Sequence, residues 1–394
     1  MAADSSYSDS IVSAHGDYAD TVPAWQRIDR WFLDSLERCE GRYGVFAAAL
    51  ITAVIAEGIS ILFAATIYDE HHARFTGLSA NPFAFGEVDI PYPEHRLRIL
   101  GPVVAWAIGL RGKAGAYVPI AFNIPLLMLF YVVLRHRTTR PLAVVFTLLM
   151  ATTHVTMESR TLIGYHDTMV FFFVALAMIS RSSFACALAF FLALLGDPRA
   201  AVTIPMLAIW TFTQSESKRP LADALVRFVI LAAVVIVFLG ISSVALDYLE
   251  YKSIAQAATG RYFTNVYVQQ IRPGWLHLAA FMSFKAGWLL AIVPLWFLLG
   301  RRPFTTMILA GNLLVITALG LLVFDFARAL TFGFPLLLIG AIELDRSARS
   351  LAVPIVGTCY LINLITPFYQ GLTIGVWTIS YPLPVELARW LLGK

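Results

Sequence analysis

Charged residues are scarce in this chain: Asp, Glu, Lys and Arg make up 14% of its 394 residues, whereas 59% are hydrophobic. Soluble domains carry about 25% charged residues, so the composition excludes an ordinary soluble enzyme and a disordered chain. The apolar stretches also lack the alternation of outer-membrane β-strands, which argues against a β-barrel. The composition therefore predicts an all-α, polytopic transmembrane helix bundle.

Cysteine is nearly absent as well. Cys39, Cys186 and Cys359 lie far apart and show no CxxC spacing, so neither a structural disulfide nor a zinc knuckle is expected. The histidines show no HxxxH or HxxE spacing, and we therefore assign no metal ligands, although a divalent metal stays open as a cofactor. The net charge of +4 is small and its basic residues form no run, so nucleic acid is not an expected partner.

Apolar stretches predict about eleven spans. They lie at 44–67, 117–134, 141–155, 167–180, 184–196, 200–213, 224–246, 276–299, 304–324, 329–342 and 351–371. Several are shorter than the roughly 20 residues of a full span, so some of these helices are expected to be broken or only partly spanning. Residues 1–43 are too polar and acidic for a cleaved signal peptide. We interpret them as a cytoplasmic tail with an amphipathic surface helix around Trp25–Leu36, and 44–394 as the transmembrane domain.

The orientation follows from the positively charged loops. A cytoplasmic N-terminus places most clusters of Arg and Lys in short inner loops, as the positive-inside rule requires. Two long outer connections then result, at 68–116 and 247–275. Within the first, Ile99–Leu110 is too short to cross and is expected to form an outer-surface or re-entrant helix. Both long connections are accordingly expected on the outer face of the membrane.

The ionisable residues collect at the outer ends of the predicted helices. Asp69 and Glu70 end the first span and are followed by His71 and His72. A carboxylate at the hydrocarbon boundary is partly desolvated, which makes it more basic and suits it to take a proton from a hydroxyl. A solvated acidic helix end without a role is the alternative.

A second group lies in one outer turn and contains Glu158, Arg160, His166 and Asp167. An arginine there can clamp a phosphate through its planar fork. Asp167 can equally serve as a helix cap.

Two further turns carry charge. Capping explains Asp197 before Pro198, but the charge of Arg199 on the same turn opposes the helix dipole, and a bound anion would relieve that conflict. Asp325 and Arg328 are spaced i, i+3 and can pair with each other.

Two charged residues lie inside predicted spans, Glu57 and Lys285. A charge at mid-membrane costs about 2.5–3.5 kcal/mol even on the lenient insertion scale. Each is therefore expected to face the bundle interior.

This pattern resembles the GT-C superfamily of integral-membrane glycosyltransferases, which use polyprenyl-phosphate sugars. The residues that carry the resemblance, within 44–345, are Asp69, Glu70, Arg96, Arg98, Pro102, Arg160, Asp167, Asp197, Pro198, Arg199, Asp325, Arg328 and Pro335. The resemblance implies an inverting sugar transfer to a glycan, lipid or protein acceptor on the outer face. It also implies a bacterial inner membrane as the location, with the active site on the periplasmic side. His71 and His72 depart from the family pattern.

The resemblance also implies roles for individual residues. Asp69 would be the base that deprotonates the acceptor hydroxyl, and Glu70 would assist it. Arg160, Arg199 and Arg328 would hold the departing lipid phosphate. The other expected substrate-binding residues are Arg96, Arg98, Glu158, His166, Asp167 and Asp325.

Other functions fit the same composition. One is a secondary transporter of a small anionic or metal solute, which needs ionisable residues along a path at mid-membrane. The chain shows no internal repeat, the commonest sequence indication of such a transporter. A polymerase or ligase of lipid-linked glycans shares the predicted topology and substrates, and an accessory role also stays open.

Overall fold

The computed structural model describes residues 24–63, 81–82, 98–215, 217–248, 273–321, 325–372 and 375–392. Nearly all of them form helices, which confirms the predicted helical membrane fold. The helices are α1 (Ala24–Tyr43), α2 (Val45–Phe63), α3 (Leu100–Ala107), α4 (Val118–Ala121), α5 (Asn123–Arg135), α6 (Arg140–Met150), α7 (His154–Thr161), α8 (Asp167–Ile179), α9 (Ser183–Gly196), α10 (Ile204–Gln214), α11 (Pro220–Tyr248), α12 (Pro273–Phe284), α13 (Trp288–Leu299), α14 (Pro303–Leu321), α15 (Phe326–Leu330), α16 (Pro335–Ser347), α17 (Arg349–Ile365) and α18 (Leu383–Leu391). Short 3-10 turns connect several of them: Gly112–Tyr117, Pro198–Thr203, Lys285–Gly287 and Thr331–Gly333.

Six helical stretches in the described ranges are long and apolar enough to cross a membrane. They are Val45–Phe63, Gly112–Arg135, Arg140–Thr161, Pro220–Ala245, Gly274–Leu299 and Pro303–Leu321. A seventh results if Phe326–Gly333 and Pro335–Ser347, which meet at a bend of 45°, count as one span. Three shorter apolar helices, α8, α9 and α17, also match predicted stretches. The finer count of eleven spans stays a prediction.

By contacts the chain divides into two units, residues 1–48 and 49–394. In the first unit, the predicted amphipathic helix around Trp25–Leu36 lies within α1. Trp31 is exposed on this helix whereas Leu36 is buried. An exposed tryptophan beside charged residues suits a helix that lies at a membrane surface.

The second unit has an aromatic core. The ring centroid of Phe334 lies 5.7 Å from that of Phe130 and 5.5 Å from that of Phe171. Phe171 also packs edge-on against Phe332, at 5.2 Å. These rings connect α5, α8 and the segment leading into α16. Tilted and edge-to-face aromatic pairs are stabilising beyond the hydrophobic gain from their buried area, so the contacts hold these three segments together.

Two helices of this unit cross at very short range. At Gly340 of α16, a Cβ atom would lie 1.7 Å from the backbone oxygen of Leu290 in α13. Only a glycine fits this crossing, as is common where helices in membranes approach closely.

The Gly274–Leu299 stretch is interrupted at Lys285, which has a positive φ of 52°. Its ammonium donates to the backbone oxygens of Asn363 and Thr366, at 3.1 and 3.0 Å. The Asn363 side chain accepts from the backbone N–H of Ala286 at 2.8 Å and donates to the oxygen of Phe284 at 3.1 Å. Lys285 therefore faces the interior, as predicted, and the break in the helix is satisfied by α17.

A short antiparallel hairpin, which the apolar pattern of the sequence did not predict, follows α17. It consists of β1 (Phe368–Leu372) and β2 (Gly375–Ser380), with Tyr369 opposite Thr378. The predicted span 351–371 accordingly ends at Ile365, since Pro367 disfavours a helical conformation at Thr366.

The predicted non-crossing helix at Ile99–Leu110 corresponds to α3, which has eight residues. At about 1.5 Å per residue it is far too short to cross a bilayer. Leu100, Pro102 and Ala105 bury one side of it.

Candidate functional site

Four chain segments bring charged side chains together at one end of α8 and α9. Asp167 is the first residue of α8, and Asp197 directly follows Gly196, the last residue of α9. A Cβ atom at Gly196 would lie 2.6 Å from Cγ2 of Val170. The missing side chain therefore lets the end of α9 approach the start of α8.

Arg98 lies just before α3, and Arg328 lies on the five-residue helix α15. Together with Arg199 they converge on the two aspartates. We call Arg98, Asp167, Asp197, Arg199 and Arg328 the arginine cluster.

Asp197 is the centre of the arginine cluster. Its Oδ2 accepts from Nη2 of Arg199 at 2.6 Å and lies 3.6 Å from Nη1 of Arg98 and 3.8 Å from Nη2 of Arg328. Its Oδ1 also accepts from the backbone N–H of Arg199 at 2.9 Å, which is the predicted capping role. Arg328 donates from Nε to Oδ1 of Asp167 at 2.6 Å.

The aspartates of the arginine cluster are more deeply buried than two of its arginines. The side chains of Asp167 and Asp197 are each 1% exposed, whereas those of Arg98 and Arg199 are 22% and 21% exposed. The Nε–H of Arg98 is buried and has no hydrogen-bond partner in the described part of the chain. Two buried carboxylates thus orient three guanidinium groups, of which two reach the surface and one keeps an unused donor.

Two guanidinium groups of the arginine cluster pack against aromatic rings. The carbon centre of the Arg328 guanidinium lies 4.2 Å from the ring centroid of Tyr165, and that of Arg199 lies 5.5 Å from Phe332. Cation–π contacts of this kind stabilise a cation without neutralising it. Three positive charges therefore face two negative ones.

The pKa values reflect this surplus. Burial would raise the pKa of Asp197, but Arg199 and Arg98 hold it well below its ordinary value, so the carboxylate is ionised. Burial and the nearby Arg98 lower the pKa of His166 to about 3. His166 is therefore uncharged at neutral pH and adds nothing to the positive charge.

A second acidic pair borders the arginine cluster. Burial, with the neighbouring Glu158 carboxylate as the next cause, raises the pKa of Asp325 to about 7, although Arg328 opposes the shift. Glu158 is 1% exposed, and its Oε2 lies 2.7 Å from Nδ1 of His154. The ring of His154 in turn packs at a tilt of 40° against Phe368 of β1, with the ring centroids 4.4 Å apart. Asp325 can therefore hold a proton close to neutral pH, beside a site with a surplus of positive charge.

Arg160 makes different contacts from the three arginines of the cluster. It donates to Oε1 of Glu57 at 3.1 Å and to the hydroxyl of Ser60 at 2.7 Å. Asn123 also donates to Oε1 of Glu57, at 2.9 Å. Glu57 therefore faces the interior, as predicted, and this buried network ties α2 to α5 and α7.

The structure thus brings most of the predicted site residues together. Arg98, Asp167, Arg199 and Arg328 form the arginine cluster with Asp197, while Glu158, His166 and Asp325 border it. Arg160 contributes to the separate network with Glu57. Asp69, Glu70 and Arg96 lie outside the described residues, as do 247–275 apart from Asp247, Tyr248 and the start of α12.

Two interpretations of single residues change. Asp167 is the first residue of α8 rather than its cap, and its carboxylate binds Arg328. The hydrogen bond of Arg328 consequently goes to Asp167 and not to the i−3 residue Asp325. The sequence predicted only a capping role for Asp197. Its position between Gly196 and Pro198, with an arginine following, is the signal that marks it as a close-packed helix end.

No group of three or more His, Cys, Asp or Glu side chains that would suit a metal ion occurs among the described residues. The groups that the arginine cluster presents at its rim are the guanidinium donors of Arg98 and Arg199.

Comparison with known proteins adds no assignment. No family model matches the chain, and no curated protein matches it.

Proposed function

We propose that the chain is an integral-membrane glycosyltransferase of the GT-C type, which moves a sugar from a polyprenyl-phosphate donor to an acceptor hydroxyl with inversion. The arginine cluster holds the donor phosphate on the outer side of the membrane. Asp69 acts as the base toward the acceptor, and Glu70 assists it.

One observation carries this proposal: three guanidinium groups converge on two buried aspartates, and the Nε–H of Arg98 is left without an acceptor. A buried donor without a partner costs about 1–3 kcal/mol, so the site gains when an anion supplies the acceptor. Guanidinium groups bind phosphate oxygens through paired hydrogen bonds, which makes a phosphate a well-matched anion.

The aspartates have a positioning role in this proposal. Asp197 fixes Arg199 through its backbone and side chain, and Asp167 fixes Arg328. The arginines are thereby held in place before the donor binds, and stabilisation of the departing phosphate requires such preorganisation. Asp325, at the border of the arginine cluster, offers a site for a proton near the phosphate as the phosphate acquires charge.

The test is a binding and transfer assay with the full-length protein in nanodiscs. A panel of polyprenyl-phosphate sugars is added, and thermal stabilisation and sugar transfer are measured. Arg98→Gln should weaken donor binding roughly tenfold or more, because it removes a charged donor worth about 1.5–3 kcal/mol. Arg111→Gln, which alters an exposed arginine in the neighbouring connection, is the matched control.

Asp69→Asn separates chemistry from binding. It should abolish transfer while leaving stabilisation by the donor unchanged, since a base acts on the acceptor. If no polyprenyl-phosphate compound stabilises the wild type, or if Arg98→Gln and Arg111→Gln bind the donor alike, the proposed phosphate site is refuted.

A secondary transporter is the alternative, and the buried pair of Arg160 and Glu57 within helical spans is the observation that favours it. Both residues are almost fully buried and paired with each other, which also fits a purely structural role. Proteoliposome uptake of phosphate-bearing solutes distinguishes the two: uptake without any sugar transfer would support the transporter.

A further inference from the structure

A cavity of about 480 Å³ lies at the opposite end of the helices that form the arginine cluster. α8 starts at Asp167, and its last residue, Ile179, lines the cavity. α9 runs the other way, from Ser183 at the cavity to Gly196 beside the cluster. Thirteen helical residues span roughly 20 Å, so this cavity is distinct from the candidate site.

The cavity has a strong surplus of positive charge. Among the described residues, Arg137, Arg181 and Arg227 line it together with one acid, Asp223. Arg181 is exposed and makes no hydrogen bond or ion pair with any described residue. Asp223 accepts a hydrogen bond from the hydroxyl of Ser215, at 3.2 Å. Arg181 and Arg227 therefore form no ion pair with a described residue.

Arg227 is held in a fixed orientation. Its guanidinium donates to the backbone oxygen of Ala177 at 2.7 Å and also to that of Ser180, at the end of α8. It further contacts the sulfur of Cys186, at 3.3 Å. Backbone oxygens take up hydrogen bonds of the guanidinium but leave its charge in place, so Arg227 presents a preorganised cation to the cavity.

The other wall of the cavity is apolar and adjoins the outer surface of α11. Trp210, Val226 and Ile230 line it. Val226 is more than half exposed, as are its neighbour Leu225 and Val229 one turn further on. Large exposed aliphatic side chains on a membrane-spanning helix face lipid chains, so a lipid beside α11 meets the cavity at the polar end of this helix.

We propose that this cavity binds the phosphate headgroup of an anionic phospholipid, with Arg181 and Arg227 as phosphate ligands and the acyl chains lying along α11. A soluble phosphate shares the headgroup chemistry, but the exposed apolar wall favours the lipid. Basic pockets between transmembrane helices on the cytoplasmic side suit anionic headgroups, and the positive-inside rule predicts that side for Arg137 and Arg181. The proposal does not depend on the sugar-transfer activity.

The test compares nanodiscs of phosphatidylcholine with nanodiscs that also contain phosphatidylglycerol. Native mass spectrometry counts retained lipids, and thermal unfolding measures stabilisation. We expect phosphatidylglycerol to be retained in preference and to stabilise the wild type. Arg181→Ala should reduce its affinity roughly tenfold, because it removes a charged hydrogen-bond donor. Arg301→Ala, which removes an exposed arginine that does not line the cavity, should leave the affinity unchanged.

Two further measurements keep the proposal open to refutation if a variant folds poorly. Asp223→Asn removes the one acid among the described residues that line the cavity, and it should increase affinity for phosphatidylglycerol, a gain that an unstable protein would not show. Glycerol phosphate in phosphatidylcholine nanodiscs tests the soluble source. Equal stabilisation by glycerol phosphate overturns the lipid assignment, and equal lipid affinity of Arg181→Ala and Arg301→Ala overturns the site itself.

Discussion

The buried pair of Asp167 and Arg328 gives the sharpest energetic prediction. The two side chains are 1% and 9% exposed and are joined by a hydrogen bond of 2.6 Å. Breaking a buried ion pair by removing one partner costs about 3–5 kcal/mol, because the other charge is left uncompensated. The two single substitutions should therefore both destabilise the protein strongly, but not equally.

The two losses of stability differ because each substitution leaves a different charged side chain buried. Asp167→Asn leaves Arg328 at 3.8 Å from Asp197, so we expect a loss near the lower end of that range, about 3 kcal/mol. Arg328→Gln leaves a buried Asp167 carboxylate whose Oδ2 already has no hydrogen-bond partner in the described part of the chain, so the loss should approach about 5 kcal/mol. In the double variant no charge is left bare, and the loss should fall short of the sum by about 2–3 kcal/mol.

The assay is reversible chemical unfolding in mixed micelles, which gives the free energy of unfolding for each member of the cycle. Glu386 and Arg389 of α18 are the matched control, because they lie 3.9 Å apart but are each more than 40% exposed. Exposed pairs contribute about 0–1 kcal/mol. If the losses at Asp167 and Arg328 are additive to within about 0.5 kcal/mol, or if the control pair couples as strongly, the arginine cluster is not held together as described.

Three further predictions concern single positions. Gly340→Ala should destabilise the protein by about 1–3 kcal/mol or more, because its Cβ would meet the backbone of Leu290, whereas Gly311→Ala has open space and should be neutral or slightly stabilising in the same unfolding assay. Asp325 has a folded-state pKa of about 7, above that of an unfolded aspartate, so the free energy of unfolding should fall as pH rises from about 4 to 7. Asp325→Asn should remove this pH dependence, and an unchanged pH profile of stability in the variant would contradict the assignment. Lys285 has φ 52°, so Lys285→Gly should be more stable than Lys285→Ala by about 1 kcal/mol, and equal stabilities would refute the strain.

The helical fold was predictable because it depends on local composition. Uninterrupted apolar stretches must form helices in a membrane, and α2, α6 and α11 lie within or across the predicted segments for that reason. The hairpin after α17 was not predictable in the same way, because its aromatic and β-branched residues continue the apolar pattern of the preceding span. Only Pro367 indicates that the helix ends before them.

Four of the five residues of the arginine cluster were predictable as site residues, all except Asp197, but their pairings were not. Asp167 and Arg328 are far apart in sequence, and nothing local indicates that they meet. The i, i+3 spacing predicted that Arg328 can pair with Asp325. In the structure α15 begins after Asp325, and the Arg328 guanidinium points toward α8, where it binds Asp167. Burial decides the remaining roles: Arg160 and Arg199 look alike as arginines at helix ends, yet one lies in a closed network with Glu57 and the other lies at a partly exposed rim.

The contact between Gly340 and Leu290 limits how this protein can move. Where two backbones touch without an intervening side chain, sliding one helix past the other requires every following residue to clear the same gap. Shear of α13 against α16 is therefore blocked, whereas tilting about the touching point is not. Any opening of the bundle that admits a bulky substrate would therefore have to occur by rotation of α13 and α16 about the contact between Gly340 and Leu290. In such a rotation, displacements are small near the contact and large at the ends of the two helices.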